Sequence, residues 1–144
     1  MIGREHANVL GFTILRIGAG AIVVRHGLSQ LMGGEDSLAQ SALTQLGVSA
    51  SPVTGYLIVY LELIGGACVA VGLFTRAFSG ALAVEMLWVA SVFWSYPYIM
   101  SHSTSSVSSD YELWGFPLVL ALVMVVVAVH GGDRWSIDRL LEKR

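Results

Sequence analysis

Hydrophobic and polar positions along this chain segregate into long blocks rather than alternating residue by residue. Apolar runs cover residues 9–32, 53–74, 77–94 and 111–129, and polar segments separate them. A helix that crosses a bilayer needs about 20 apolar residues, and each run is of that order. The blocks predict an all-α membrane protein, a four-transmembrane-helix bundle formed by a single domain over residues 1–144. Thr75 and Arg76 leave room for only a tight turn, so the second and third spans should lie side by side and antiparallel. Small residues at Gly65, Gly66 and Ala70 allow another helix to approach the second span closely. Pro117 predicts a kink in the fourth.

The intervening segments carry weaker patterns. Leu38, Ala42, Leu43 and Leu46 recur at helical spacing, with Asp36 or Ser37 able to cap and Gly47 able to stop a short helix. That predicts an interfacial helix in the first outer loop, with a solvated loop as the other reading. The Ser-rich stretch 101–109 reads as a linker. Trp94, Tyr96 and Tyr98 form an expected aromatic belt. At the C-terminus, Trp135, Leu140 and Leu141 alternate with basic residues, as in a second interfacial helix.

The polar residues inside the apolar runs are the candidate chemistry. The first run holds Arg16, Arg25 and His26, and a guanidinium in hydrocarbon costs roughly 2.5–3.5 kcal/mol. Such groups need partners, and the other runs offer Glu62, Glu85 and Glu112. Counting from the cytoplasmic helix ends at ~1.5 Å per residue puts Arg16 about 10 Å deep, Glu85 about 13 Å, Glu62 about 18 Å and Arg25 about 24 Å. Two levels are expected: Arg16 with Glu62 or Glu85, and Arg25 and His26 with Glu112. Nine residues separate the arginines, which places them on opposite faces of one helix. The deeper level is either a structural charge pair, Arg16 with Glu62, or the lining of a site in which Glu62 or Glu85 handles a proton.

Charge and composition refine this picture. The chain is 55% hydrophobic and 12% charged, with mean hydropathy +0.70, whereas an average soluble domain is about 25% charged. Six of the eight Lys and Arg residues flank the runs, and all six (Arg4, Arg76, Arg134, Arg139, Lys143 and Arg144) fall on one side if four spans alternate. The positive-inside rule then places both termini in the cytoplasm and the protein in the cell inner membrane. A signal peptide is the competing reading of the first run, but Arg16 and Arg25 interrupt its would-be core. A net charge of −2 and no basic run with aromatics argue against nucleic acid. Cys68 is the single cysteine, so no internal disulfide can form. No flavin, haem, iron–sulfur or metal motif is visible. His26 and His130 sit at opposite ends of the bundle, a poor arrangement for paired haem ligation.

Several short stretches together resemble a known family. Leu15-Arg16, His26-Gly27 and Pro52, the stretch Leu61-Glu62-Leu63-Ile64-Gly65-Gly66, then Val71-Gly72-Leu73-Phe74-Thr75-Arg76 and the closing Gly132-Asp133-Arg134-Trp135-Ser136-Ile137-Asp138 are similar to DoxX-type membrane proteins. The resemblance covers nearly the whole chain. It implies a four-helix membrane fold and kinship with the membrane subunit of thiosulfate:quinone oxidoreductase. Relatives often carry a lysine just after the His-Gly pair, where this chain has Gln30, so an anion site at the outer mouth would have one fixed charge fewer. The function expected on these grounds is a subunit of a quinone-linked oxidoreductase. Its quinone would sit among the polar levels, catalytic roles would fall to Glu62 and Glu85, and substrate would be bound by Arg25, His26 and Glu112. A reduced sulfur compound or a partner protein would supply electrons. The alternative is a non-catalytic anchor subunit that assembles with other subunits or with copies of itself. A small transporter is disfavoured, since no broken helix or repeat is evident.

Overall fold

The computed structural model describes residues 2–33, 52–95, 111–133 and 135–142. Within those helices the side chains of residues 111–114, Glu112 among them, lie outside the described set, as do the loop containing the expected first interfacial helix, the Ser-rich linker, Tyr96 and Tyr98. Every regular element described is helical. The elements are α1 (Ile2–Gly33), α2 (Pro52–Tyr60), a π-helical segment π1 (Leu61–Gly65), α3 (Gly66–Val71), α4 (Thr75–Ser95), α5 (Tyr111–His130) and α6 (Ile137–Glu142).

The apolar blocks become helices because most of their residues cost little in a helix, and the glycines scattered through them are carried by the helical hydrogen-bond ladder on either side. The first helix starts earlier than its apolar run, taking in the polar lead from Ile2. The second stops earlier than expected. Gly72 adopts φ +79°, and Gly72 N and Leu73 N donate to Val69 O at 3.2 Å and Cys68 O at 2.8 Å. This is the Schellman ending, which needs a residue comfortable at positive φ. The turn is therefore Gly72–Phe74, and Thr75-Arg76 already belongs to α4. Pro117 lies inside α5, which continues through it as one helix.

Two helix pairs make up the bundle. α1 packs along π1 and α3, and α4 packs along α5. The pairs meet where α3 and π1 touch α4, around a core that includes Val23, Val69, Leu82, Ala121, Met124 and Val127. Close approach of α1 to the second helix depends on glycine: a Cβ on Gly20 would lie 2.6 Å from Gly66 O, and one on Gly66 would lie 2.9 Å from Gly20 O. Small residues at such crossings let backbones touch, as in membrane helix pairs.

The outward surface is apolar. The stretch His6–Met32 is 27 residues long with mean hydropathy 1.8, and it alone among the described helices is long and apolar enough to cross a membrane. Only 28% of it is buried, so its apolar side chains face away from the bundle, unlike those of a soluble core helix. Gly55–Val71 and Gly115–His130 are shorter apolar helices. Leu10, Ile14, Tyr56, Leu57, Val84 and Leu122 are all exposed.

Candidate functional site

The polar side chains collect in two groups, one above the other along α1. The first is built on Glu62, which is 1% exposed and sits in the π1 turn. A π turn inserts an extra residue into the helix and re-aims the side chains around it, and such turns recur at functional sites. Glu62 Oε1 lies 3.0 Å from His26 Nδ1. Gln30 Nε2 donates to Glu62 Oε2 at 3.0 Å and lies 2.9 Å from the same His26 nitrogen. His26 and Gln30 are four residues apart, hence neighbours on one face of α1. Between them Gly27 makes the approach possible, since a Cβ there would stand 2.9 Å from Glu62 Cβ and 3.2 Å from Oε2.

Nδ1 of His26 can play one role at a time. When it carries hydrogen it donates to Glu62; when bare it accepts from the Gln30 amide or from a protonated Glu62. The triad is thus wired to hold a proton on either side of a 3.0 Å contact. The His26 side chain is 39% exposed while that of Glu62 is 2% exposed, so His26 is the member that communicates with the surroundings. Glu85 approaches from α4. It is buried and close enough to Glu62 for the two carboxyl groups to share a hydrogen bond when one of them holds a proton; no other donor among the described residues reaches its oxygens. Gln30 Oε1 is also buried, and it faces no donor among them.

The second group surrounds Arg16, which is 1% exposed. Its Nη1 donates to Val69 O at 2.7 Å and Ala70 O at 2.9 Å, carbonyls in the last turn of α3, of which Val69 O also accepts from Gly72 N. Its Nη2 meets Asp133 Oδ1 at 3.5 Å. Thr13 donates to the other Asp133 oxygen at 2.6 Å, and Trp135 N donates to Oδ1 at 2.9 Å. Asp133 holds this position because the segment after α5 folds back across the ends of α1 and α3. There Ser136 Oγ donates to Asp133 O at 2.7 Å, and Asp138 N donates to Gly72 O at 2.9 Å.

This arrangement corrects the expected charge pair. Arg16 is not paired with Glu62: its guanidinium is drawn to the C-terminal carbonyls of α3, about 10 Å along the helix from Glu62 at 1.5 Å per residue. The expected outer group of His26, Arg25 and Glu112 is also redrawn, because His26 turns inward to Glu62. Arg25 is exposed on the opposite face from Arg16 and enters no ion pair among the described residues. The side chain of Glu112 lies outside them. Two participants went unassigned from sequence, Gln30 and Asp133. Gln30 carried a usable signal, its i,i+4 spacing to His26. Asp133 lay in the closing stretch that resembles the DoxX family, but nothing there pointed to Arg16 as its partner. Among the described residues no group of three or more His, Cys, Asp or Glu is arranged to hold a metal ion.

Outward-facing apolar helices around buried charges define an all-α membrane protein. Residues 11–95 match the DoxX family, a stretch that runs through most of α1 to the end of α4 and supplies Arg16, His26, Gln30, Glu62 and Glu85. The chain belongs to the DoxX family. No curated protein and no solved structure matches it.

Proposed function

We propose that this chain is an integral membrane subunit of a quinone-linked oxidoreductase, and that His26, Gln30, Glu62 and Glu85 form its proton-handling site. The observation that carries the reading is the excess of buried acceptors: Gln30 Oε1 faces no donor, and the carboxyl oxygens of Glu85 meet only the Glu62 carboxyl, among the described residues. A buried acceptor left unpaired costs about 1–3 kcal/mol, so the site suits a ligand that brings hydroxyl groups. The reduced form of a quinone has two. When bound, a quinone would supply the two-electron carrier that no residue of this chain provides. The residues would do the rest as a quinone is reduced: His26 would take protons from the exterior and pass them through Nδ1 to Glu62, Glu62 and Glu85 would deliver them to the quinone oxygens, and Gln30 Oε1 would accept from a hydroxyl so formed.

Orientation belongs to the same proposal. α1, the Pro52–Val71 helix, α4 and α5 each span about 30 Å or more at 1.5 Å per residue, the thickness of bilayer hydrocarbon. With the flanking cations inside, both termini are cytoplasmic and the site opens toward the outer face of the inner membrane. A reduced sulfur compound or a donor protein would arrive there near Arg25, with Glu112 at the entrance of α5. The second reading, a non-catalytic anchor, draws on the outward apolar surface of α1, which is suited to lipid or to another subunit.

The test is quinone turnover by the native membrane complex carrying Glu85→Gln or Arg25→Gln. Glu85→Gln is expected to lower turnover at saturating donor by 10²-fold or more, the usual size of a lost proton-transfer group. Arg25→Gln is expected to raise the donor concentration needed for half-maximal rate. Full activity of both variants in an assembled complex would establish the anchor instead.

A further inference from the structure

Beyond the Arg16 group, the Gly72–Phe74 turn, the end of α5 and α6 enclose a cleft of about 560 Å³. That volume falls in the range of small-molecule sites. Arg76, His130 and Arg139 line it, together with the backbone of Gly131 and Gly132. The one carboxylate among the described lining residues is Asp138, and both of its oxygens are already engaged. Oδ1 accepts from Phe74 N at 2.7 Å, and Oδ2 accepts from Thr75 N at 2.9 Å and Thr75 Oγ1 at 2.8 Å. Arg76 gives one N–H to Val129 O at 3.1 Å, and the Arg139 guanidinium has no partner among the described residues. Gly131, at φ +75°, seats Arg76: a Cβ there would lie 2.8 Å from Arg76 Nε. The cleft therefore presents two guanidinium groups against one occupied carboxylate. Its surroundings are apolar and exposed, with Phe74 at 64%, Leu140 at 67% and Leu141 at 56%.

We propose that this cleft binds the phosphate headgroup of an anionic phospholipid, with Arg76 and Arg139 on the phosphate and Phe74, Leu140 and Leu141 along the acyl chains. Guanidinium forks suit phosphate oxygens, which they can meet in pairs. Basic pockets between helices at the cytoplasmic surface are where anionic headgroups are held. The apolar rim decides between a lipid and a free anion, because inorganic phosphate has nothing to lay on it. The proposal rests on the membrane reading and on this end facing the inner leaflet. It does not rest on quinone chemistry.

The experiment is native mass spectrometry of the full chain released from detergent with phosphatidylglycerol, with phosphatidylcholine, or with inorganic phosphate. Preferential retention of phosphatidylglycerol is expected. Arg76→Gln and Arg139→Gln should each reduce that preference about fivefold, the effect of about 1 kcal/mol per basic residue near anionic lipid. Gly131→Ala, which displaces Arg76 without removing its charge, should reduce it as well. Arg4→Gln removes one charge from the same cationic set and should leave it within about twofold. Equal retention of both lipids would overturn the proposal. So would equal losses in the Arg4, Arg76 and Arg139 variants, or displacement of lipid by inorganic phosphate. Retention is read without turnover, so its failure leaves the quinone proposal standing, and the reverse holds too.

Discussion

At the residue scale the Glu62 site depends on what is missing from Gly27. A methyl group there meets Glu62 Cβ at 2.9 Å, with backbone behind both atoms and nowhere to move. Gly27→Ala is expected to push α1 away from π1 and to destabilise the purified protein by about 1–3 kcal/mol, as overpacking does. Thermal unfolding in detergent measures it, and an unchanged midpoint would mean that the helices do not approach as described. Arg16 gives a second prediction. Arg16→Leu leaves Asp133 without its cation, and breaking a buried pair costs about 3–5 kcal/mol. Adding Asp133→Asn should recover folded yield, whereas adding Glu62→Leu should not. Recovery by the Glu62 substitution would restore the pairing expected from sequence. That expectation had the right ingredients: a buried Arg16, an outward Arg25, and Glu62 and Glu85 as the acids between helices. What the sequence could not convey was the register. Depth counting assumes ideal helices, and the π turn at Leu61–Gly65 carries no sequence signature. It also treats a tail as leaving the bundle, so Asp133, which folds back onto Arg16, went unassigned.

At the element scale α4 begins on a carboxylate borrowed from α6. Asp138 accepts from Phe74 N, Thr75 N and Thr75 Oγ1, which satisfies donors that a helix start leaves open. Burial pushes the Asp138 carboxyl up, but the hydrogen bonds from Thr75 and Phe74, helped by the Arg16 charge, outweigh it and hold the group below the usual carboxylate range. A depressed folded value means that stability is present above the unfolded value near 3.9 and is lost as pH falls through the folded one. The stability gap between the parent protein and Asp138→Asn should be constant around neutrality and shrink only below about pH 4. A gap that changes between pH 6 and 8 would contradict it. Asp138→Ala should cost about 0.5–2 kcal/mol, the usual size of a lost cap, and Asp138→Asn less because one acceptor oxygen remains. The helices themselves were legible in their apolar blocks. Their ends were less so: the stop at Gly72 depends on a backbone angle, and the start of α4 on a residue more than sixty positions away.

At the scale of the whole molecule the proposed four-span topology draws on the apolar surface and the one-sided cations, and it can be tested directly. Cysteines introduced at Ser105 and Glu142 are expected to react with a membrane-impermeant thiol reagent from opposite sides of the membrane. Labelling of both from outside would exclude that topology. The pairing of helices was only half legible. The short connection after α3 brings α4 near, but the longest shared face belongs to α4 and α5, which a polar loop separates and no motif links.

Asp133 follows Arg16 by 117 residues, and that interval is also a duration. At about 5–20 residues per second, roughly 6–23 s pass between the synthesis of the cation and that of its anion. The carbonyls of Val69 and Ala70 are made sooner, but they bring no opposite charge. A nascent chain arrested before residue 133 therefore holds its first helix with the guanidinium unneutralised, and one arrested well after it does not. Protease-accessibility measurements on such arrested chains should show α1 settling into the bilayer only in the longer set. For this bundle, closure is an event timed by translation, and the first helix is secure only once residue 133 has been made.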